Sequence, residues 1–325
     1  SSAGPVTYLT KTNALTNINT DWDPIGFPAS GDTLKIGGGH TITLNSGGAR
    51  TFDINLNFWG GRLININNAN AYTIPSISTM NLSGGVIPEF RFASGVDGFL
   101  TLGANQILAS ITTVSGAQGN LTLSNSTGPT TFHGSIGASG KAIKNLAWAS
   151  SELILGSDIT IGTKTYSGAS VYVNSWSPTA GSPIIVIDGA VLMTSGATLT
   201  VPITINSGKT LTIDGGTFTG AIDGAAVDIG DPWVGTLTTA WETKLGNVGQ
   251  TYGLSLININ NSASGLNATG NIRATNLTFT NSSAIFNINQ YNVEGNINFA
   301  GLAGTINLTT GTITGNVDST SSAAG

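Results

Sequence analysis

Apolar residues alternate with small polar residues along most of the chain, which is the pattern of β-strands with one buried face. Leu34 and Ile36 are followed by Ile42 and Leu44, with Thr or Lys between the members of each pair. A glycine-rich break at 37–39 separates these two pairs, and similar breaks recur along the chain. Short alternating segments with such spacing, roughly 8 to 12 residues, are typical of all-β folds.

Helix signals are scarce. The stretches 144–155 and 239–245 lack Gly and Pro over a few helical turns, but neither has an apolar stripe with helical spacing. A short unit of Gly, Asn or Thr, and then an aliphatic residue or Phe returns at 119–122, 216–219, 270–272, 295–298, 304–307 and 311–314. The chain has no Asn-Gly dipeptide, the strongest signal of a two-residue hairpin. We therefore expect coils stacked as a parallel β-solenoid with a short N-terminal strand and cap.

In such a solenoid the aliphatic residues fill the interior, while Asn and Thr beside them form hydrogen-bonded ladders between coils. We expect Trp22 to cap the first coil, since solenoid ends need protection. The interior is predicted to bury Ile36, Ile42, Ile54, Ile64, Ile203, Ile205, Ile213, Ile297 and Ile306.

Four regions are expected. Residues 1–28 form an N-terminal strand with a cap or linker, and residues 29–250 form the β-solenoid. Residues 251–318 continue the solenoid or form a second β subdomain, because fourteen asparagines lie between Tyr252 and Asn316. Residues 319–325 form a tail of small residues.

A resemblance to a known class rests on four segments. The sequences TDWDP at 20–24, PASGDTLKI at 28–36 and GHTITL at 39–44 resemble the first coils of right-handed parallel β-helices of microbial surface proteins. The sequence SGKTLTIDGG at 207–216 is similar to passenger domains of autotransporters and related adhesins. The resemblance implies an extracellular or cell-surface protein, such as an adhesin or a surface-layer subunit.

Composition excludes several kinds of chemistry. Zero cysteines exclude disulfides, thiol catalysis and zinc sites with thiolate ligands. Charged residues make up 8% of the chain, the net charge is -5, and no basic cluster indicates a nucleic-acid partner. No apolar run reaches the roughly 18 residues of a membrane-spanning helix. We expect no targeting segment at residues 1–5, which lack basic and apolar regions.

The strongest candidate for a catalytic or calcium-binding site is the acidic group Asp214, Asp223, Asp228 and Asp231. Paired carboxylates serve as acid and base in polysaccharide-cleaving enzymes. However, Asp214 and Asp223 precede Gly and Asp231 precedes Pro, which are ordinary turn positions. We therefore expect no catalytic residue, metal or cofactor.

Histidines and tryptophans are weaker candidates. His40 and His133 have no partner motif and are expected to be surface or turn residues. Tryptophans are able to stack on sugars, but their spread along the chain favours packing roles. They are Trp22, Trp59, Trp148, Trp176, Trp233 and Trp241.

The expected function is that of a non-enzymatic extracellular structural protein, a self-assembling subunit of a surface layer, sheath or filament, or an adhesive stalk. Its partners are other copies, bound head to tail or laterally, and cell-surface polysaccharide. Val6, Tyr8 and Leu9 are predicted to reach a neighbour's open edge, formed by Ile306, Ile313 and Val317. The alternative is a polysaccharide-binding or polysaccharide-cleaving β-helix, such as a phage tailspike or a secreted lyase or hydrolase.

Overall fold

The protein is an all-β parallel solenoid of about 14 turns, as the alternation predicts. The computed structural model describes residues 3–56, 60–76, 79–80, 87–262 and 264–320. Within these residues the helical content is one short 3-10 turn, Asn19–Asp21, and no helix is long and apolar enough to cross a membrane. Both stretches with few helix breakers, 144–155 and 239–245, lie in strand regions.

The chain divides into two compact units. The first comprises Ser1–Leu153 and Ser157–Ser182, and the second comprises Ile154–Gly156 and Pro183–Gly325.

Most strands of the first unit belong to three parallel stacks. The strands are β1 (Thr7–Thr10), β2 (Ala14–Leu15), β3 (Trp22–Asp23), β4 (Thr33–Ile36), β5 (Thr41–Leu44), β6 (Arg50–Thr51), β7 (Asp53–Leu56), β8 (Leu63–Ile66), β9 (Ala71–Ile74), β10 (Thr79–Met80), β11 (Glu89–Phe92), β12 (Phe99–Leu102), β13 (Gln106–Ile107), β14 (Ser110–Thr113), β15 (Gln118–Leu123), β16 (Thr130–Phe132), β17 (Ile143–Trp148), β18 (Glu152–Leu155, shared with the second unit), β19 (Ile159–Ile161), β20 (Lys164–Tyr166), β21 (Ala169–Val173) and β22 (Trp176–Pro178). The stacks are β1-β4-β7-β10, β2-β5-β8-β11-β14 and β6-β9-β12-β15-β17. The β3 strand pairs antiparallel with β1, and β19 with β20.

The strands of the second unit also pair in parallel, and several of them are longer than those of the first unit. These are β23 (Ile184–Ile187), β24 (Ala190–Ser195), β25 (Ile203–Ile205), β26 (Thr210–Phe218), β27 (Ile222–Gly224), β28 (Thr236–Leu245), β29 (Leu254–Ile259), β30 (Leu266–Ala268), β31 (Ile272–Phe279), β32 (Ile285–Asn289), β33 (Val293–Asn298), β34 (Thr305–Leu308), β35 (Ile313–Thr314) and β36 (Val317–Asp318). One stack is β24-β26-β28-β29-β31-β33, and another is β28-β30-β32-β34. The pairing passes residue 251 without interruption, because β29 pairs with β28 and β31 pairs with β29.

The core consists of rows in which each apolar side chain stacks on its counterpart in the next coil. The longest row in the second unit is Val191, Leu211, Leu237, Ile257, Leu277 and Ile297, followed by Val317. The first six are at most 2% exposed, whereas Val317 is 53% exposed. Full burial of one such aliphatic side chain stabilises the fold by about 1.5–3 kcal/mol, so these rows provide much of the stability.

Eight of the nine isoleucines predicted for the interior are buried. The prediction was wrong for Ile306, which is half-buried. Ile306 ends the row Leu266, Phe286, Ile306, and among the described residues no later strand covers it. An apolar residue in the last coil is therefore packed on one side only.

The predicted polar ladders are present in the second unit. The Asn287 amide Nδ2 donates to Asn267 Oδ1 at 2.7 Å, and Asn307 Nδ2 donates to Asn287 Oδ1 at 2.7 Å. A second ladder uses backbone donors, since the N–H of Asn292 donates to Asn271 Oδ1 at 3.0 Å. These amides join one coil to the next by hydrogen bonds that need no charge, which suits a chain with few ionic groups.

Trp22 caps the first coil, as predicted. It is fully buried, its indole Nε1–H donates to the Leu15 carbonyl oxygen at 3.0 Å, and its ring meets the Tyr8 ring edge-on at 6.1 Å. Because Trp22 lies on β3, the antiparallel pairing of β3 with β1 holds the indole over the interior.

Candidate functional site

The four aspartates of the predicted acidic group lie on different elements. Asp214 is on β26 and Asp223 is on β27, where its Oδ1 accepts the Thr251 N–H at 3.1 Å. Asp228 and Asp231 lie in the following loop, where the Asp231 N–H donates to the Asp228 carbonyl oxygen at 3.0 Å. Over the described residues, no three acidic or histidine side chains are grouped closely enough to hold a metal ion.

Asp231 does line a groove of about 440 Å³ with Trp233, Glu294, Asn296 and Thr314. The other three predicted carboxylates do not line it. The register of β31 and β33 places Arg273 beside Glu294, but Arg273 is turned to other partners.

Arg273 fixes Trp233 in this groove. Its guanidinium carbon lies 4.9 Å from the centre of the Trp233 ring, its Nε–H donates to the Gly249 carbonyl oxygen at 2.7 Å, and one Nη donates to the Gln250 carbonyl oxygen at 3.0 Å. A Cβ on Gly253 would overlap the same ring, so the Gly253 backbone also packs against it. Trp233 is thus held between protein groups, which is the packing role that the sequence favoured.

The remaining aromatic and imidazole candidates differ in their burial. Trp148 is fully buried and meets Trp176 edge-on at 6.0 Å, whereas Trp241 is 63% exposed; Trp59 lies outside the described residues. His40 Nδ1 is 3.0 Å from the Thr10 hydroxyl.

His133 was expected at the surface or in a turn; it lies just after β16, outside any strand, but it is buried. It is 6% exposed, with Nδ1 2.8 Å from the Ser157 carbonyl oxygen and Nε2 2.6 Å from Gln106 Oε1. These partners come from coils before and after the histidine, so the imidazole is buried because both ring nitrogens find hydrogen-bond partners there.

The predicted assembly residues of the N-terminal strand pair within their own chain. Tyr8 stacks on Leu34 in the parallel β1–β4 pair, and Leu9 pairs with Asp23 on the other side. The Val6 N–H donates to Asp32 Oδ1 at 2.9 Å. This corrects the premise that the strand extends beyond its first coil, because β4 pairs along Thr7–Leu9 and β3 pairs with Leu9 and Thr10 on the other edge.

The C-terminal assembly residues have a common position. Ile306, Ile313 and Val317 are each the last described member of a core row, stacked on Phe286, Val293 and Ile297 respectively. Ile306 and Ile313 are half-buried and Val317 is exposed. The last described coil therefore presents partly uncovered apolar side chains.

The first unit also contains a charged cleft that was not predicted from the sequence. The cleft measures about 440 Å³ and is lined by residues of three consecutive coils. Its main polar residues are Glu89 and Arg91 on β11, Thr112 on β14 and Lys141 in the next coil. We call it the Arg91 cleft.

Glu89 organises the inner wall of the Arg91 cleft. Its side chain is 16% exposed and accepts hydrogen bonds from Arg91 Nη2 at 2.9 Å and from the Thr112 hydroxyl at 3.0 Å, with Arg62 Nη2 at 3.9 Å. Burial raises the pKa of Glu89, but the hydrogen bonds from Arg91 and Thr112 and the charges of Arg91 and Arg62 outweigh it and hold that pKa below its usual value. Glu89 is therefore ionised at neutral pH and keeps Arg91 in place.

Lys141 forms the outer lip of the cleft. Lys141 ends a turn that begins at Ala138. Reciprocal backbone hydrogen bonds between these two residues, at 3.1 and 2.9 Å, close this turn. Gly140 has a φ of 70°, a left-handed conformation that glycine adopts without strain. Lys141 is exposed and forms no ion pair with any residue that the structure describes.

Comparisons with known proteins add no further assignment. No protein-family model, no curated protein and no solved structure matches this chain.

Proposed function

We propose that this protein is a non-enzymatic extracellular structural protein whose copies associate end to end in a surface layer, sheath or filament, or as an adhesive stalk. The distribution of exposed apolar side chains supports this most directly. Ten large apolar side chains are exposed among the described residues, and six of them belong to the first or last coils: Leu15, Ile18, Ile25, Phe27, Leu308 and Val317. Apolar groups concentrated in this way mark interaction surfaces.

The last coil and the first coil both expose apolar side chains that a neighbouring copy would cover. In the last coil, Ile306, Ile313 and Val317 extend core rows that a further apolar layer would cover. In the first coil, Ile25 and Phe27 follow the Trp22 cap and are 65% and 61% exposed. A contact between different surfaces of identical subunits repeats at every copy and propagates into a filament. In this scheme the β1 strand stays in its own chain.

The stack also suits a mechanical role. Its core rows and amide ladders join each coil to the next by backbone pairing, apolar contact and uncharged hydrogen bonds. Because uncharged contacts are not screened by salt, the stack keeps its strength over a wide range of ionic strength.

Sedimentation velocity and negative-stain electron microscopy over a range of protein concentrations test the association. We expect concentration-dependent assemblies that Phe27→Glu and Val317→Glu each abolish, while the fold, followed by circular dichroism, is retained. Ile229→Glu is the matched control, because Ile229 is fully exposed in the 225–235 loop, away from both coils. A protein that stays monomeric, or assemblies that all three variants weaken equally, would contradict the proposal.

The non-enzymatic part of the proposal is tested with acidic and neutral polysaccharides. We expect the purified protein to leave them intact. Release of reducing ends or unsaturated sugars that is lost in Asp223→Ala and Asp228→Ala would replace the proposal with the polysaccharide-cleaving alternative.

The extracellular location is tested by antibody labelling of intact cells that express the protein. We expect labelling without permeabilisation. Labelling only after permeabilisation would refute that location.

A further inference from the structure

The Arg91 cleft has a local charge opposite to that of the whole protein. The chain carries 16 acidic and 11 basic residues. Two cations, Arg91 and Lys141, and the single carboxylate of Glu89 line the cleft. A third cation, Arg62, lies beside it, with its Nη2 3.9 Å from Glu89 Oε2. A concave surface with one excess charge concentrates the field and attracts ligands of the opposite sign. The cleft therefore selects an anion.

The cations retain donors for such an anion. A guanidinium has five N–H donors, and the Glu89 hydrogen bond uses one on Nη2 of Arg91. The ammonium of Lys141 has no charged partner among the described residues. The Glu89–Arg91 pair fixes the orientation of the guanidinium before a ligand arrives, which lowers the entropic cost of binding.

The neighbouring side chains extend the cleft into a row. Asn65, Arg91 and Thr112 occupy matching register positions on β8, β11 and β14. Strand spacing places the backbones of these three residues about 4.8 Å apart along the stack. We call these three residues the polar row. All three are half-buried, so the polar row presents hydrogen-bonding groups at an accessible surface.

We infer that the Arg91 cleft binds a segment of an acidic polysaccharide through a sugar carboxylate. Arg91 and Lys141 bind the carboxylate, for which an arginine fork is geometrically suited. Asn65 and Thr112 bind hydroxyls of adjacent sugars, since an extended glycan presents hydroxyl groups along its whole length. The cavity volume of about 440 Å³ is in the usual range of small-ligand sites. This inference is independent of self-association.

Isothermal titration calorimetry of the full chain with oligogalacturonate tests the inference. The comparison ligand is the methyl ester of the same oligosaccharide, which keeps the hydroxyls and lacks the charge. We expect binding of the acid and at least about tenfold weaker binding of the ester, because the ester does not form charge-assisted hydrogen bonds with Arg91 and Lys141.

Variants localise the site. Arg91→Gln and Lys141→Gln are each expected to weaken binding by about tenfold or more. Lys35→Gln, which removes an exposed cation on β4, should leave binding unchanged. Thermal unfolding of each variant separates a loss of binding from a loss of fold. Arg91→Lys keeps the charge without the fork and should bind more weakly than the native protein but more tightly than Arg91→Gln.

Three results would overturn the inference: equal binding of acid and ester, full binding by the folded Arg91→Gln/Lys141→Gln double variant, or displacement of the oligosaccharide by an equal concentration of inorganic sulfate. The last result would identify a general anion site rather than a glycan site.

Discussion

Truncation of one isoleucine in the middle of a core row should cost much more stability than the same truncation at the end of a row. Ile257 lies between Leu237 and Leu277 in register, and all three are fully buried. Ile257→Ala removes three carbon groups at about 0.8 kcal/mol each, roughly 2.4 kcal/mol in transfer free energy. The unfilled cavity adds to this, so the total loss should be about 2–5 kcal/mol.

Ile306→Ala is the matched control, since Ile306 has the same side chain, is half-buried, and lies at the end of its row after Phe286. Ile306→Ala should lower the free energy of unfolding by about 1 kcal/mol or less, because solvent already reaches the site and no closed cavity forms. Urea unfolding followed by circular dichroism gives both values, and hydrogen exchange should show lost protection in β28 and β31 for Ile257→Ala. Equal losses for the two variants would refute the stacking of these rows.

Three further outcomes are expected. Asn287→Ala removes two amide hydrogen bonds and should lower the free energy of unfolding by about 1–3 kcal/mol, whereas Asn260→Ala, at an exposed position, should change it little in the same urea titration. Trp22→Ala should cost about 3–5 kcal/mol and raise hydrogen exchange first in β1 and β4; unchanged exchange there would contradict the cap. The pKa of Glu89 is lowered by folding, so its contribution to stability is present above its ordinary value of 4.5 and is lost as the pH falls through the folded pKa. Glu89→Gln should therefore flatten the fall in thermal unfolding midpoint between about pH 5 and pH 3, and an unchanged slope would argue against the ion pair.

The architecture was predictable because each strand carries its own signal. In the segment around Leu34 and Ile36, the period of two residues identifies the buried face without any knowledge of the neighbouring coil. Ile306 shows what the period of two residues does not predict. Its local pattern matches that of Ile205, but burial depends on whether a further coil covers it, and the local pattern does not contain that information.

The candidate sites were less predictable, for a related reason. Glu89 and Arg91 share one face of β11, but coil corners and loops separate them from Thr112 and Lys141. The lengths of those segments set the register, and alternation does not specify them. Proximity in sequence was equally misleading for the acidic group, because Asp214 and Asp223 are close along the chain but lie on separate strands.

The amide ladder has a consequence for how this protein changes length during evolution. Asn267, Asn287 and Asn307 are separated by 20 residues at each step. Removal of residues 268–287 would place Ile288 directly after Asn267, in the buried position of Ala268, and would bring Asn307 into the place of Asn287. Removal of one residue more or fewer would turn every following side chain to the opposite face of its strand. We therefore expect this part of the stack to tolerate the gain or loss of 20 residues, one coil at a time, better than the gain or loss of 19 or 21.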